Sequence, residues 1–190
     1  NKHYGKDNFG GNGVGNGYSA NYWCLYKIIR DYIVTTGDYA FLDKLIENKS
    51  VLNHLEAYAL NWQNLSLYGT PGYEDEVYRL ADFGSDPWNL LECVPTYKHI
   101  VPSFNIGYVW MMRETADLYR QKGDSSKADS LEEQAEEMMQ NILKLYAGNG
   151  VWNSLHPNNK KVEVRHVLDF IYFGKFLADD VSSAIKQEMM

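Results

Sequence analysis

Cysteine is scarce in this 190-residue chain, with Cys24 and Cys93 the only two. Two cysteines do not make a metal cluster by themselves, and each stands among apolar or aromatic neighbours, as a small buried residue does. A bridge between them stays open at this point, and with it the redox compartment. Positive charge is also in short supply: 18 Lys and Arg against 25 Asp and Glu leave a net charge of −7. No Lys/Arg cluster with interleaved aromatics offsets that balance, which excludes a phosphate-tracking surface and hence a nucleic-acid partner. No apolar run approaches the roughly 20 residues that span a bilayer, and the opening NKHYGKDNFGG lacks the basic start and apolar centre of a signal peptide. No membrane partner is expected. Strand-like alternation of apolar and polar residues is missing as well, which points to an all-α class.

What is present is enough apolar material, 45% of residues, for one domain with a core spanning 1–190. The chain opens on Asn1 and ends on the helical-looking SSAIKQEMM, so it reads as a piece of a larger protein. Aromatic residues are plentiful, with 15 Tyr, 7 Phe and 5 Trp. Polar-tipped aromatics suit the wetted apolar face of a sugar site as well as a loosely packed core.

The Gly- and Asn-rich start, residues 1–18, cannot sustain a helix and reads as a loop. It is not a phosphate cradle, because no strand precedes it and no Lys-Ser/Thr follows. From Ser19 onward Tyr22, Trp23, Tyr26, Ile29 and Ile33 recur at helical spacing until Gly37. Asp38 is placed to cap a short helix bearing Phe41, Leu42, Leu45 and Ile46, and Ser50 a longer one running through Trp62. Phe104, Tyr108, Met111, Met112, Thr115 and Leu118 predict a helix that Gly123 ends. Asp124 starts the next, with Ala128, Leu131, Ala135, Met138, Ile142 and Leu143 facing inward and a solvated acidic outer face. YAGNGVWNSLHPNNKK, 146–161, reads as turn chemistry throughout, and Val164, Val167, Leu168 and Ile171 predict a fifth long helix. The architecture expected is therefore antiparallel helical hairpins. Links within hairpins are short, whereas links between them are long and rich in Trp, Tyr, Asn, Asp and His. The end of the stack that carries the long links is where a site is expected.

Three segments, GVGNGYSANYWCLYKIIRDYIVTTGDYAFL, NLLECVPTYKHIVPSFN and VEVRHVLDFIYFG, resemble the six-hairpin (α/α)6-barrel glycosidases. That class contains trehalases, processing α-glucosidases and the bacterial mannosylglycerate-hydrolase-like proteins, and the likeness is greatest to the last. The resemblance covers most of residues 12–178 through motifs of moderate specificity. It implies part of an (α/α)6 toroid, with the remainder of the barrel supplied by a longer chain or another copy. It also implies a carbohydrate substrate, an α-linked glucoside or mannoside, hydrolysed with inversion and without a cofactor. In this class a Ser-Gly-x-Asp turn delivers the general acid. FGSDPWN maps Asp86 onto that role, with Asn105 and TADLYRQKGD following at a similar separation. Ser follows Gly here instead of preceding it, so Asp82 in ADFG is the alternative acid. The partner carboxylate of the class has no matching segment before Met190.

The chemistry asks for one carboxylic acid to protonate the leaving oxygen and one carboxylate to activate water, about 6.5–9.5 Å apart in the inverting case. Asp86, beside Trp88, has an aromatic wall of the kind that raises a carboxyl pKa, as a general acid requires. The competing reading is that Asp86 caps a short helix in PWNLLE with Pro87 at its first position. Asn89, Glu92 and His99 are candidates for binding sugar hydroxyls or for bracing the loop. Tyr22, Trp23, Trp88, Tyr97 and Trp110 are candidates for stacking on sugar faces or for the core. Arg165, His166 and Asp169 lie on adjacent turns, with Arg165 and Asp169 at ion-pair spacing, and either orient substrate or settle a helix start. No metal is expected, since no HExxH-type spacing occurs. Two rivals accompany the enzyme reading. One is a helical-repeat scaffold that binds protein, and the other is a catalytically inactive sugar-binding relative.

Overall fold

A computed structural model of the chain describes residues 5–6, 13–14, 21–65, 79–84, 96–157, 159–164 and 179–190. In order, the elements are β1 (Gly5–Lys6), β2 (Gly13–Val14), α1 (Asn21–Thr36), a 3-10 helix (Tyr39–Asp43), β3 (Leu45–Ile46), β4 (Lys49–Ser50), α2 (Val51–Ala59), α3 (Trp62–Leu65), α4 (Pro102–Gln121), α5 (Ser125–Leu143), β5 (Tyr146–Gly148), β6 (Val151–His156), β7 (Lys160–Val164) and α6 (Ser183–Met189). The expectation of an all-α chain of helical hairpins is wrong. The fold is mixed α/β, with short antiparallel ladders β1-β2 and β3-β4 and a three-stranded antiparallel sheet β5-β6-β7.

The helices follow from the apolar spacing and the caps. Gly37, at φ +71°, lets the chain leave α1, and its N–H reaches the Ile33 carbonyl. The Asp38, Ser50 and Asp124 side chains accept from Phe41, Asn53 and Lys127 N–H at 3.1–3.2 Å, starting the 3-10 helix, α2 and α5 respectively. Two boundaries differ from expectation. Leu45 and Ile46 leave the short helix for a β-turn hairpin whose tip, Glu47 and Asn48, has positive φ. The helix that Ser50 begins stops at Ala59 and resumes as the separate turn Trp62–Leu65.

α4 is the centre of the molecule. Every residue from Pro102 to Met112 is buried, so the helix is enclosed on all sides and not only along one stripe. It lies against α5, α2, α1 and β6. Tyr26 from α1 is wholly buried there, its hydroxyl meeting the Met111 carbonyl at 3.1 Å and the Thr115 hydroxyl at 2.9 Å. Arg30 reinforces the α1–α4 contact by pairing with Glu114 at 2.5 Å.

The sheet occupies what reads in sequence as turn chemistry. Gly148, Asn149 and Gly150 all have positive φ and form the β5–β6 turn, and Asn159 at φ +54° belongs to the β6–β7 turn. The Gly and Asn residues are thus two hairpin corners, and VWNSLH between them is a strand. It shows no alternation because Val151, Trp152, Ser154 and Leu155 are all buried. One edge of β6 pairs with β7. The other edge pairs first with β5 and then, at Leu155, with Ile100, which exchanges both backbone hydrogen bonds with it at 2.8 and 3.1 Å. Val164 therefore ends β7 instead of opening the fifth helix, and residues 165–178 lie outside the described residues.

Gly150 also carries the C-terminal helix. A Cβ built on it would stand 2.2 Å from the Glu188 carbonyl oxygen, so α6 packs directly on the turn. The Tyr146 hydroxyl accepts the Gly150 N–H at 2.9 Å and bonds the Glu188 carboxylate.

Candidate functional site

Segment 85–95 carries Asp86, Trp88, Asn89 and Glu92, all of which lie outside the described residues, as do Arg165, His166 and Asp169. Whether the acidic turn and the Arg-His-Asp group share a concavity is accordingly outside them too. The two ends from which the acidic loop springs are described in full, and they meet. His99 N–H donates to the Gly84 carbonyl at 2.8 Å and Phe83 N–H donates to the His99 carbonyl at 3.0 Å. Gly84 at φ +80° and His99 at φ +64° provide the sharp backbone this pairing needs. For His99, a buried residue with a Cβ, that conformation carries strain that the surroundings must hold.

Two side chains hold the stem in place. Asn105, in the first turns of α4 and wholly buried, accepts the Ala81 N–H at 2.7 Å and donates to the Ala81 carbonyl at 3.3 Å and the Val101 carbonyl at 2.9 Å. Its amide is thereby occupied with the loop stem instead of facing a ligand. Asp82, 2% exposed, accepts the Gly84 N–H at 2.7 Å. The same Asp82 oxygen lies 3.3 Å from Nδ1 of His99, which is 5% exposed. A carboxylate only accepts, so that nitrogen carries the hydrogen.

A residue that sequence reasoning did not nominate completes the group. His156, at the end of β6, places its ring centre 5.2 Å from that of His99, the planes inclined at 55°. Its Nε2 stands 3.1 Å from the Thr96 carbonyl and 3.1 Å from the Ser154 hydroxyl. The carbonyl fixes Nε2 as the protonated nitrogen. Ser154, fully buried, donates to the same Thr96 carbonyl at 2.9 Å. Burial pushes the His156 pKa down; the Thr96 carbonyl opposes this, and His99, Lys98 and Lys160 add to the depression. Nothing local in LHPNNKK announces His156. It reaches the site only because Leu155 pairs with Ile100, joining the second long link of the chain to the stem of the first.

The aromatic candidates divide. Tyr97 is 0% exposed and meets Phe104 edge-on at 6.2 Å; Trp110 is 9% exposed and meets Tyr26 edge-on at 5.4 Å. Both belong to the core. Trp23 is half-buried against Gly107, where a Cβ would find its side chain at 3.7 Å, and Tyr22 sits in the first turn of α1. Cys24, expected to be buried, is an exposed free thiol, and Cys93 lies outside the described residues. Among the described residues no group of three or more His, Cys, Asp or Glu side chains is arranged to hold a metal, and no helix is long and apolar enough to cross a membrane.

No protein-family profile, characterised protein or solved structure matches the chain.

Proposed function

We propose that the chain contributes the acid-bearing loop of a glycoside hydrolase acting on an α-linked glucoside or mannoside, with Asp86 as general acid. The observation that carries the reading is the closure of the loop stem at His99–Gly84, 2.8 Å, on a buried polar lattice anchored in α4. A loop whose ends meet on a rigid base is the usual carrier of reactive groups. This one brings an Asp, a Glu, an Asn and a Trp within seven residues. The choice of Asp86 over Asp82 is supported by the occupation of Asp82: sealed from solvent and engaged with Gly84 and His99, it braces the stem and has no path to a glycosidic oxygen. The likeness of NLLECVPTYKHIVPSFN to glycosidase segments supports the substrate class, and nothing in the chemistry depends on an all-helical frame.

Reducing-sugar release by the full-length protein, with the partner carboxylate present, from a panel of α-glucosides and α-mannosides tests the assignment. Asp86→Asn should lower turnover by about 10²-fold or more while leaving the melting curve unchanged. Unaltered turnover in Asp86→Asn would remove that residue from the mechanism. Absence of turnover by the unaltered full-length protein on every sugar, with no sugar bound, would remove the hydrolase reading.

A further inference from the structure

We propose that His99 and His156 form a two-imidazole binding site for a divalent metal ion of the zinc class, at the seam between the loop stem and the sheet. Each ring has one nitrogen held by an acceptor, Nδ1 of His99 by the Asp82 carboxylate and Nε2 of His156 by the Thr96 carbonyl. Each therefore presents its other nitrogen, Nε2 of His99 and Nδ1 of His156, with the lone pair. Among the described residues neither of those nitrogens has a hydrogen-bond partner. A carboxylate or backbone carbonyl on the far nitrogen is the arrangement that fixes the tautomer and orientation of metal-binding histidines and raises their basicity.

The spacing agrees with the same chemistry. With Zn–N bonds of about 2.0–2.1 Å, and each nitrogen roughly 1.2 Å from its ring centre, two imidazoles at a tetrahedral angle have centres about 5.2 Å apart. The observed separation is 5.2 Å. The two supports are also unlike each other and independently built. Asp82 is itself positioned by the Gly84 N–H, and Thr96 is shared with Ser154. The positive φ of His99 points the same way, since strained backbone in a buried residue collects where a side chain must be aimed. Imidazole pairs suit zinc, copper(II) and nickel(II) over calcium or magnesium, and with two protein ligands the remaining positions are open to water. Because one histidine comes from the loop stem and the other from β6, a bound ion would tie the two long links together independently of any sugar chemistry.

The test is calorimetric titration of the chelator-stripped, chelator-free protein with zinc chloride at neutral pH, alongside thermal denaturation with and without zinc. His156→Gln is the informative variant. Its amide nitrogen can still donate to the Thr96 carbonyl, but the lone pair at Nδ1 is gone. The unaltered protein should take up one saturable equivalent and melt at a higher temperature with zinc. His156→Gln should bind about 10-fold or more weakly and lose the zinc-dependent shift, while His54→Ala, remote from the pair, should behave as the unaltered protein does. No saturable uptake by the unaltered protein overturns the proposal, and so does uptake that survives in His156→Gln, which would place the ion elsewhere.

Discussion

The α4–α5 hairpin and the junction of the loop stem with β6 are held together by different means. In the hairpin, apolar residues at helical spacing face one another across a short turn, and the polar groups that matter are local: Asp124 caps α5 three residues away, and Gly123 turns the chain at φ +81°. At the junction the decisive contacts join residues far apart in sequence. Asn105 reaches back to Ala81, Asp82 to His99, and Thr96 to Ser154 and His156. A hairpin of the first kind tolerates loss of any single polar contact. A junction of the second kind concentrates its order in a few buried hydrogen bonds, each expensive to leave unmade.

Asn105→Ala is the most direct way to break that contrast. It leaves the Ala81 N–H and the carbonyls of Ala81 and Val101 without their partner in a buried place, and should cost about 3–5 kcal/mol in urea unfolding. A cost no greater than that of a helix cap would mean that the stem is not held by its polar lattice. Asp124→Ala, removing the hairpin's local cap, should cost only about 1 kcal/mol. The same denaturation experiment gives the ratio of the two. The smallest effect belongs to His156 and sharpens the comparison through pH. Its folded pKa lies below the ordinary value of 6.5, so the unfolded chain takes up the proton first as pH falls. Its share of stability is intact above pH 6.5 and is lost as the pH drops from there through the depressed folded value. His156→Gln should flatten that part of the melting temperature against pH profile by a change worth under about 1 kcal/mol. Equal slopes in variant and parent would show that the ring's burial has no energetic consequence.

The same contrast explains what could be read from the residues in advance. The helices were legible because Tyr26 and Ile33, or Leu131, Ala135 and Met138, announce a face by spacing alone, and because Asp38, Ser50 and Asp124 are caps whose partners lie three residues away. The sheet was not. VWNSLH buries four of its six residues and so lacks the period of a half-exposed strand, while the glycines and asparagines that bound it resemble loop as much as hairpin corners. Of the candidate site, Asp82 stands out in the sequence as the alternative acid, His99 as a binder of sugar hydroxyls or a brace of the loop, and Asn105 as a match to the glycosidase pattern. Their tasks, and the arrival of His156 beside them, depend on the Ile100–Leu155 pairing, which no local pattern encodes. Tyr97 and Trp110, candidates for sugar faces or core, both lie in the core: Trp110 stands at helical spacing in α4, and Tyr97 is buried in the segment that leads into it.

The contact between Gly150 and the Glu188 carbonyl makes one hydrogen atom the gatekeeper of the chain's last helix. Any larger substituent at that corner must either push the hairpin open or evict α6 from its seat, drawing Ile185 and Met189 away from the core they pack against. Residue 150 is thus a place where a single methyl group would decide whether the carboxy-terminal stretch folds onto the body or hangs free.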